Sequence, residues 1–449
     1  MQKLFGTDGI RGKAGEFPLD EKTMATVGRS LTELCRERLG RTPRFVTGRD
    51  TRESGGWIEA AFHSGAVEAG AEVLSAGVIT TPGVAFITGY GGFDGGVVIS
   101  ASHNPFEDNG LKIFNPSGKK AHGATERAIE KAIFEAGDET APNIKPDDSK
   151  AGEFRDAYLK HLEEGFNGLD LKGKRVVVDC ANGAASDLAP SLFEHFGAEV
   201  IAIHNTPDGR NINHECGSLH LEHLQAKVIE EKAEFGVAFD GDADRSLYVN
   251  DLGEIVDGDA VLWVMARYLK AHNKLESGKV IATVMSNLGL ELALKGEGIE
   301  LVRTAVGDKY VLDELLTSDA EIGGEQSGHI IFPQRSLVGD GMLTALYLLQ
   351  AIGELGGMLS KAAEGFVRYP QVLVNVKVGE KLPFDEVDAI RVAAAAVEQT
   401  LNGTGRLLLR YSGTENLARV MIEGKDQAEI DLLANGLADV IRGELASGS

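Results

Sequence analysis

Short apolar segments that end in polar loops recur along the chain, and each is followed by a stretch with helical periodicity. Residues 44–55 (RFVTGRDTRESG), 174–186 (KRVVVDCANGAAS) and 279–291 (KVIATVMSNLGLE) have this form. A strand of β-branched residues that leads through a polar turn into a helix is typical of a βα unit in a mostly parallel sheet. The spacing of about 100 residues between these segments predicts three similar mixed or parallel-sheet α/β domains rather than a short-period repeat.

Two segments interrupt this pattern and predict domain boundaries. Residues 136–154 (AGDETAPNIKPDDSKAGEF) are polar and contain two prolines, as expected for a connector. After residues 364–371 (EGFVRYPQ) the pattern changes to strand-like segments at 372–380, 405–412 and 417–424 and helix-like segments at 384–401 and 426–445. This order predicts a smaller α+β domain at the C-terminus. The predicted domains are 1–150, 151–253, 254–366 and 367–449.

Segment 97–112 (VVISASHNPFEDNGLK) combines a strand-like start with a potentially reactive end. Its first three residues predict a buried strand, and Ser102, a potential nucleophile, follows beside His103. Lys112 lies ten residues after Ser102. Alternatively, Ser102 and Asn104 could simply hydrogen-bond the turn. The other motifs of the chain decide whether the serine has catalytic partners.

Three aspartates alternate with small residues in segment 234–253 (EFGVAFDGDADRSLYVNDLG). Asp240, Asp242 and Asp244 could converge on one hard cation, and a ligand set made only of oxygens suits Mg²⁺. A Ca²⁺-binding EF-hand loop begins with the same spacing, but Arg245 occupies the position where that loop needs glycine, and the flanks resemble strands. The segment predicts a catalytic metal loop, with a solvated acidic turn as the alternative.

Segment 323–332 (GGEQSGHIIF) places three polar residues at alternating positions. If the segment is extended, Glu325, Ser327 and His329 share one side of the chain. A carboxylate next to a hydroxyl suits the vicinal hydroxyls of a sugar, and His329 could move protons. The alternative is a polar loop with one hydrogen-bonded histidine.

Segment 410–420 (RYSGTENLARV) is a candidate anion site. A Ser-Gly-Thr turn can direct backbone N–H groups and hydroxyls at an anion, and flanking arginines can complete the contact. The candidate residues are Arg410, Ser412, Gly413, Thr414 and Arg419. The spacing of Ser412 and Glu415 also matches a helix capping box, but the residues that follow alternate like a strand. Segment 5–12 (FGTDGIRG) could be a turn and nothing more.

Charge and composition restrict the partners. The 449 residues include 45 Lys and Arg against 68 Asp and Glu, a net charge of −23. Such a surface repels nucleic acid and anionic membranes, so neither is expected as a partner. The chain has no apolar run long enough to span a bilayer and no secretory signal at its start. Three separated cysteines, Cys35, Cys180 and Cys216, fit free thiols in the cytoplasm, where we expect the protein.

Together these segments resemble the α-D-phosphohexomutase superfamily over essentially the whole chain. FGTDGIRG, SASHNP, DGDADR, GEQSGH and RYSGTEN occur in the family's order. The resemblance implies an isomerase that interconverts 6-phospho and 1-phospho sugars through a phosphoserine and a 1,6-bisphosphate. Gln326, together with FGTDGIRG and MSNLGLE, resembles the bacterial branch that acts on glucosamine phosphate and feeds UDP-N-acetylglucosamine and cell-wall precursor synthesis.

The resemblance also implies a role for each candidate residue. Ser102 would be the phosphorylated serine and would hold one Mg²⁺ together with the three aspartates. Glu325 and Ser327 would read the sugar. The residues implied to hold the phosphate that is not transferred are Arg410, Ser412, Gly413, Thr414, Glu415 and Arg419. The residues implied to act in acid–base chemistry or to orient the site are Arg11, His103, Lys112, Arg245 and His329.

The implied partners are a phosphorylated hexosamine substrate and catalytic amounts of a hexosamine 1,6-bisphosphate as activator. Ser102 would first be phosphorylated by a kinase or by the enzyme itself, and the sequence leaves open whether the chain forms a homodimer. Two positions depart from the family pattern, with Asn416 in place of a proline and Lys309 in place of an arginine. The alternatives are a phosphoglucomutase or phosphomannomutase, a phosphatase with Asp240 as nucleophile, and a non-catalytic sugar-phosphate sensor.

Overall fold

A computed structural model describes residues 3–6, 8–121, 123–137, 144–412 and 415–446. The chain divides into two compact units. Unit 1 comprises Met1–Thr283 and Thr304–Glu364, and unit 2 comprises Val284–Arg303 and Gly365–Ser449. None of the described helices is both long and apolar enough to cross a membrane. The four domain boundaries expected from the sequence stay predictions.

The first part of unit 1 is built on a mixed sheet. Its elements in chain order are β1 (Phe5–Gly6), β2 (Gly9–Lys13), α1 (Glu21–Leu39), β3 (Arg44–Arg49), α2 (Gly55–Glu68), β4 (Glu72–Val78), α3 (Thr81–Tyr90), β5 (Gly95–Ile99), β6 (Asp108–Phe114), α4 (Gly123–Glu135) and α5 (Ala151–Glu164). The strand order over the described residues is β1-β2-β6-β5-β3-β4. β3 pairs parallel with β4 and β5, whereas β6 pairs antiparallel with β5 and β2.

Strand β5 is buried on both faces, as its apolar run predicts. Val97 and Ile99 share a hydrophobic core with Phe62 of α2. Val98 points to the opposite face by alternation and is also fully buried, and α3 packs against β3 and β5. This two-sided burial fixes the carboxyl end of β5, where Ser102 follows.

A second sheet carries the aspartate segment. Its elements are β7 (Arg175–Asp179), α6 (Leu188–His195), β8 (Glu199–Ile203), a 3₁₀ turn (Gly217–Leu219), α7 (Glu222–Glu231), β9 (Phe235–Phe239), β10 (Ser246–Asn250) and β11 (Ile255–Val256). The strand order is β11-β10-β9-β7-β8, with β7 parallel to β8 and β9. β9 and β10 form an antiparallel hairpin whose connection holds the three aspartates. The predicted strands on both sides of this connection are confirmed.

The next segment contains the polar turn around Glu325. Its elements are α8 (Gly258–Ala271), β12 (Lys279–Thr283), α9 (Leu288–Gly296), β13 (Glu300–Thr304), α10 (Asp308–Thr317), β14 (Gly323–Gly324), β15 (Ile330–Ile331), α11 (Gly341–Glu354) and α12 (Leu359–Ala362). In unit 1, β12 pairs parallel with β14, and β14 pairs antiparallel with β15. Residues 325–329 are a turn rather than extended chain, because the Gly328 N–H donates to the Glu325 carbonyl at 3.0 Å. The shared side expected for an extended segment therefore does not apply.

Unit 2 contains α9, residues 300–303 of β13 and a compact C-terminal portion. The C-terminal elements are β16 (Gln371–Lys377), α13 (Asp388–Leu401), β17 (Arg406–Tyr411), β18 (Leu417–Glu423) and α14 (Gln427–Leu445). The strands are antiparallel in the order β16-β18-β17, and the core includes Ile390 of α13, Val420 of β18 and Ile441 of α14. Helix α13 begins at Asp388 rather than at residue 384, because Glu386 N–H closes a turn on the Pro383 carbonyl.

The predicted fold class is confirmed: three α/β portions with mixed sheets precede a smaller α+β portion with a three-stranded sheet in the described chain. The apolar runs were sufficient to predict the α/β portions because β5, β7, β9 and β12 are buried along most of their length.

Candidate active site

Ser102 follows β5 in a tight, closely held turn. Its φ of 55° lies in the left-handed region, which residues with a side chain rarely adopt. The Ser102 N–H donates to Ser100 Oγ at 2.9 Å, and the Ser102 hydroxyl donates to Asp240 Oδ2 at 2.6 Å. Ser102 is only 1% exposed. The fold thus directs this hydroxyl toward the aspartate loop.

Arg52, a buried residue that the sequence reasoning missed, holds the serine turn. Its guanidinium donates to the backbone oxygens of Ser102 at 3.0 Å, Asn104 at 2.9 Å and Pro105 at 3.0 Å. The carboxylate of Asp50 lies 3.0 Å from Arg52 Nε and balances its charge. Arg52 follows β3, which is parallel to β5, so both loops leave the same edge of the sheet. That placement was the signal that could have identified Arg52.

The aspartate loop reaches the serine turn because the residues between the aspartates are small. A Cβ added to Gly241 would lie 2.6 Å from the Ser102 carbonyl oxygen, so only glycine allows this approach. Ala243 has a φ of 54°, which reverses the chain between the second and third aspartates.

The three aspartates fit a divalent cation. Asp240, Asp242 and Asp244 are buried, and one carboxylate oxygen of each lies within 4.8 Å of the other two. Within the described chain, Asp242 Oδ1 and Asp244 Oδ1 are buried without a hydrogen-bond partner. Burial and repulsion from the other two aspartates raise the pKa of Asp240 well above its usual value. Mg²⁺ prefers oxygen ligands, and two carboxylate oxygens here have no other partner. A bound divalent cation would also offset the repulsion among the three carboxylates.

Lys112 of β6 is buried with its ammonium group among three carboxylates. Its Nζ lies 2.8 Å from Asp242 Oδ2, 3.1 Å from Asp244 Oδ2 and 3.2 Å from Asp8 Oδ2. Burial alone would lower the pKa of Lys112, but the three carboxylates outweigh it and hold the pKa well above its usual value. Lys112 is therefore protonated, so of the two acid–base roles only that of proton donor is open to it.

His103 lies beside the Ser102 hydroxyl, and two arginines, Arg245 and Arg11, lie near His103. His103 Nδ1 lies 3.3 Å from Ser102 Oγ and 3.3 Å from Arg245 Nη1. Burial, together with Arg245 and Arg11, lowers the pKa of His103 to about 4, so the imidazole is neutral at neutral pH. Arg11 lies on β2 and forms an ion pair with Asp8. This arrangement favours an anion such as a phosphoryl group next to the serine.

Glu325 and Ser327 occupy the turn between β14 and β15. Glu325 Oε1 accepts the N–H of Gly307 at 3.1 Å, and Ser327 is half-buried. Gln326 Nε2 donates to Asp257 Oδ2 at 3.3 Å, which ties the turn to the residue that caps α8. Glu325 therefore retains carboxylate lone pairs that could accept sugar hydroxyls.

His329, at the end of this turn, is buried beside the aspartate loop. Its Nδ1 lies 3.6 Å from Asp244 Oδ1, and its Nε2 accepts the N–H of Gly339 at 3.0 Å. Burial acts to lower the pKa of His329, but Asp244 outweighs it and raises the pKa. The N–H of Gly339 acts in the opposite sense, because it favours an Nε2 without a proton.

The unit 1 residues line a cleft of about 430 Å³. Six of the predicted residues lie on its wall: Arg11, His103, Asp244, Arg245, Glu325 and His329. Three residues that the sequence reasoning did not select are also on the wall: Asp8, Lys120 and Asp308.

These additional residues connect the two acid–base candidates. Asp8 and Asp308 both form ion pairs with Lys120, with Asp308 Oδ2 at 2.6 Å. His329 Nε2 lies 3.7 Å from Asp308 Oδ2. These contacts close a ring in which basic and acidic side chains alternate: Lys112, Asp8, Lys120, Asp308, His329 and Asp244. Their signal in the sequence was position alone: Asp8 lies in the same segment as Arg11, Lys120 lies shortly after Lys112, and Asp308 immediately precedes Lys309.

The anion candidates of unit 2 lie on neighbouring strands. Arg410 of β17 and Arg419 of β18 are directly paired in register. Burial and the nearby Arg419 lower the pKa of Arg410. Glu415 N–H donates to Ser412 Oγ at 3.3 Å, and a strand follows, so no helix begins there. Gly413 and Thr414 lie outside the described residues.

Family models match most of the chain in four consecutive segments. The phosphoglucomutase/phosphomannomutase alpha/beta/alpha domains I, II and III match residues 2–140, 156–253 and 257–369, and the phosphoglucomutase/phosphomannomutase C-terminal domain matches residues 373–440.

Individual proteins are similar over the full length. A phosphoglucosamine mutase of Solibacter usitatus is 49% identical, covering 98% of this chain and 99% of the relative. One of Caldicellulosiruptor bescii is 46% identical, covering 99% and 100%. A phosphoglucomutase/phosphomannomutase family protein of Burkholderia thailandensis has a TM-score of 0.81 at 25% identity, covering 99% and 98%. An N-acetylphosphoglucosamine mutase of Aspergillus fumigatus, solved with GlcNAc-6P and magnesium, has the same fold, with a TM-score of 0.68 at 20% identity over 98% and 95%.

Proposed function

The chain belongs to the phosphoglucomutase/phosphomannomutase family, and on that basis we propose that it is a phosphoglucosamine mutase. It interconverts glucosamine 6-phosphate and glucosamine 1-phosphate, and the product feeds UDP-N-acetylglucosamine and cell-wall precursor synthesis. The observation that carries the proposal is the Ser102 hydroxyl, directed at Asp240 beside the buried ammonium of Lys112. A serine in this setting is suited to carrying and transferring a phosphoryl group. The full-length relatives named phosphoglucosamine mutase support the choice of substrate.

In the resting enzyme Ser102 carries the phosphoryl group. Asp240, Asp242 and Asp244, together with the phosphoserine, would hold one Mg²⁺, which offsets the phosphoryl charge and polarises the group for transfer. The neutral His103 lies beside the serine oxygen, and Arg245 contacts His103, so both can orient the phosphoryl oxygens.

Two transfers complete the reaction. In the first, the bond between phosphorus and Ser102 Oγ breaks as the free hydroxyl of the sugar phosphate attacks. Lys112, as an ammonium, supplies the proton for the serine oxygen, and His329 is the candidate to accept the hydroxyl proton. The 1,6-bisphosphate then turns around, and Ser102 takes back the other phosphoryl group with the proton movements reversed.

The remaining parts of the proposal concern phosphate binding and activation of the enzyme. Arg410, Ser412, Gly413, Thr414, Glu415 and Arg419 hold the phosphate that is not transferred. Free hexosamine 1,6-bisphosphate restores the phosphoserine when the intermediate escapes, and a kinase or self-phosphorylation first loads Ser102. A cytoplasmic location agrees with the three unpaired, buried cysteines.

A rate comparison tests the proposed function. The purified enzyme is assayed with Mg²⁺ and trace bisphosphate on the 6-phosphates of glucosamine, glucose and mannose. We expect the highest kcat/KM for glucosamine 6-phosphate. A higher value for glucose or mannose would indicate a phosphoglucomutase or phosphomannomutase. Steady release of inorganic phosphate would indicate a phosphatase, and binding without turnover a sensor.

A further inference from the structure

The wall of the unit 1 cleft carries side chains of both charges. Arg11 and Arg245 are on this wall, and Arg245 contacts His103 beside the Ser102 hydroxyl. Asp308 and Glu325, which we call the acidic edge, line the same cleft. The two acidic residues are linked through Gly307, which precedes Asp308 and donates its N–H to Glu325.

The acidic edge is the less neutralised part of the cleft. Asp8 has ion pairs with Arg11, Lys112 and Lys120. Asp244 faces Lys112, Arg245 and His329.

Asp308, by contrast, shares the single ammonium of Lys120 with Asp8, and its only other cationic neighbour in the described chain is His329 at 3.7 Å. Glu325 has no ion pair within 4 Å in the described part of the chain and accepts one backbone N–H, although Arg245 and His329 are near enough to interact with its charge. The four carboxylates on the cleft wall outnumber its three arginine and lysine side chains. The Asp308 side chain, whose one ammonium partner is shared with Asp8, is 13% exposed.

This excess charge suits one feature that separates the candidate substrates. Glucosamine phosphate carries an ammonium group at C2, whereas glucose and mannose phosphates carry a neutral hydroxyl there. Asp308 follows Gly307, the residue whose N–H contacts Glu325. If Glu325 accepts hydroxyls of the sugar, the Asp308 carboxylate is placed to accept a hydrogen bond from the group on the neighbouring ring carbon. We propose that Asp308 determines specificity by accepting a charge-assisted hydrogen bond from the C2 ammonium. The inference rests on the proposed function and adds the residue that selects the amino sugar.

Lys120 makes this proposal testable. It is the one ammonium ion-paired with Asp308 in the described chain, and it competes for the same carboxylate that the substrate would use. If Asp308 binds the substrate directly, removing Lys120 should not lower the preference for the amino sugar. If Asp308 only positions Lys120, removing either residue should have the same effect.

The experiment measures kcat/KM on glucosamine 6-phosphate and glucose 6-phosphate for the wild type, Asp308→Asn, Asp308→Glu and Lys120→Gln. Asp308→Asn should lower the ratio of the two values by about ten- to a hundredfold, the range of one hydrogen bond to a charged group. The loss should fall on the amino sugar. Asp308→Glu keeps the charge and should recover part of the ratio, which guards against a folding defect in the asparagine variant.

Three results would overturn the inference. If Asp308→Asn lowered kcat/KM equally for both substrates, Asp308 would have a structural role and no role in specificity. A ratio that falls as far in Lys120→Gln as in Asp308→Asn would assign the effect to Lys120. If Asp308→Glu recovered none of the ratio, the negative charge at this position would not be what selects the amino sugar. Failure of the proposed function is distinct from all three, since the wild type itself would then show no preference for glucosamine 6-phosphate.

Discussion

In the proposed function the serine site in unit 1 and the arginine pair in unit 2 both bind phosphate, but they are built differently. Around Ser102, charges are buried and compensated: Lys112 has three carboxylate neighbours, and Arg52 is fully enclosed. In unit 2, Arg410 and Arg419 lie side by side on adjacent strands, half-buried, with like charges facing each other.

The difference reflects two tasks. Transfer of a phosphoryl group requires atoms held in fixed positions in a dry, preorganised site. Holding a phosphate that must be released and exchanged requires only a positive surface that is not fully compensated, and the ligand itself neutralises the remaining charge. Arg419 has one carboxylate neighbour, Glu415 at 3.6 Å, so the arginine pair keeps an excess of positive charge. Substitutions in unit 1 should therefore act mainly on rate, and substitutions in unit 2 mainly on affinity.

The largest effect should come from the aspartate loop. Asp242→Asn removes a carboxylate charge from the metal candidates, and the lost stabilisation should lower kcat on the order of a hundredfold or more. Sugar-phosphate affinity measured by calorimetry should change far less. EDTA should have the same effect on the wild type, and Asp313→Asn, on the exposed side of α10, is the matched control. If Asp242→Asn instead abolished sugar-phosphate affinity and left kcat unchanged, the expectation that unit 1 substitutions act mainly on rate would be wrong.

An intermediate effect is expected in unit 2. Arg419→Ala should weaken both glucosamine 6-phosphate and glucosamine 1-phosphate by about ten- to a hundredfold, because the same residue serves both orientations of the intermediate. Added bisphosphate should restore part of the activity, since escaped intermediate can rebind. Arg391→Ala, on the exposed face of α13, is the control. Weakening of only one sugar phosphate would exclude a shared phosphate site.

The smallest effect concerns stability, and it also separates the units. All eleven histidines lie outside unit 2. His63 in α2 is buried, its Nε2 lies 2.8 Å from Thr47 Oγ1, and burial lowers its pKa to about 4. Its folded pKa lies below the unfolded value of about 6.5, so its contribution to stability is present above pH 6.5 and is lost as the pH falls toward 4.

Lowering the pH from 7 to 5 should therefore cost unit 1 about 2 kcal/mol through His63 alone. Hydrogen exchange, corrected for its intrinsic pH dependence, should show faster opening of α2 and β3 at pH 5 and little change in unit 2. His63→Gln should remove this part of the pH dependence. An unchanged slope in that variant would show that His63 is not the responsible group.

The sequence predicted the parts of the fold and site that depend on local pattern. Ser102 and the three aspartates could be selected as candidates because each follows a buried apolar strand and belongs to a short motif, and the structure brings them together. Arg52, Asp8, Lys120 and Asp308 were missed because their role comes from strand order and long-range contact, which local periodicity does not carry. The turn at residues 325–329 was treated as extended because alternation alone does not reveal a hairpin closed by Gly328, whose φ is 90°.

The most direct test follows the phosphoryl group itself. Ser102 is loaded with labelled phosphate from a labelled hexose 1,6-bisphosphate, located by peptide mass spectrometry, and exposed to unlabelled glucosamine 6-phosphate with Mg²⁺ in a single turnover. The label should leave Ser102 and appear in glucosamine 1,6-bisphosphate at least as fast as turnover, and Ser102→Ala should take up no label and be inactive. Label found on another residue, or released as inorganic phosphate at the rate of turnover, would contradict a mutase that works through Ser102.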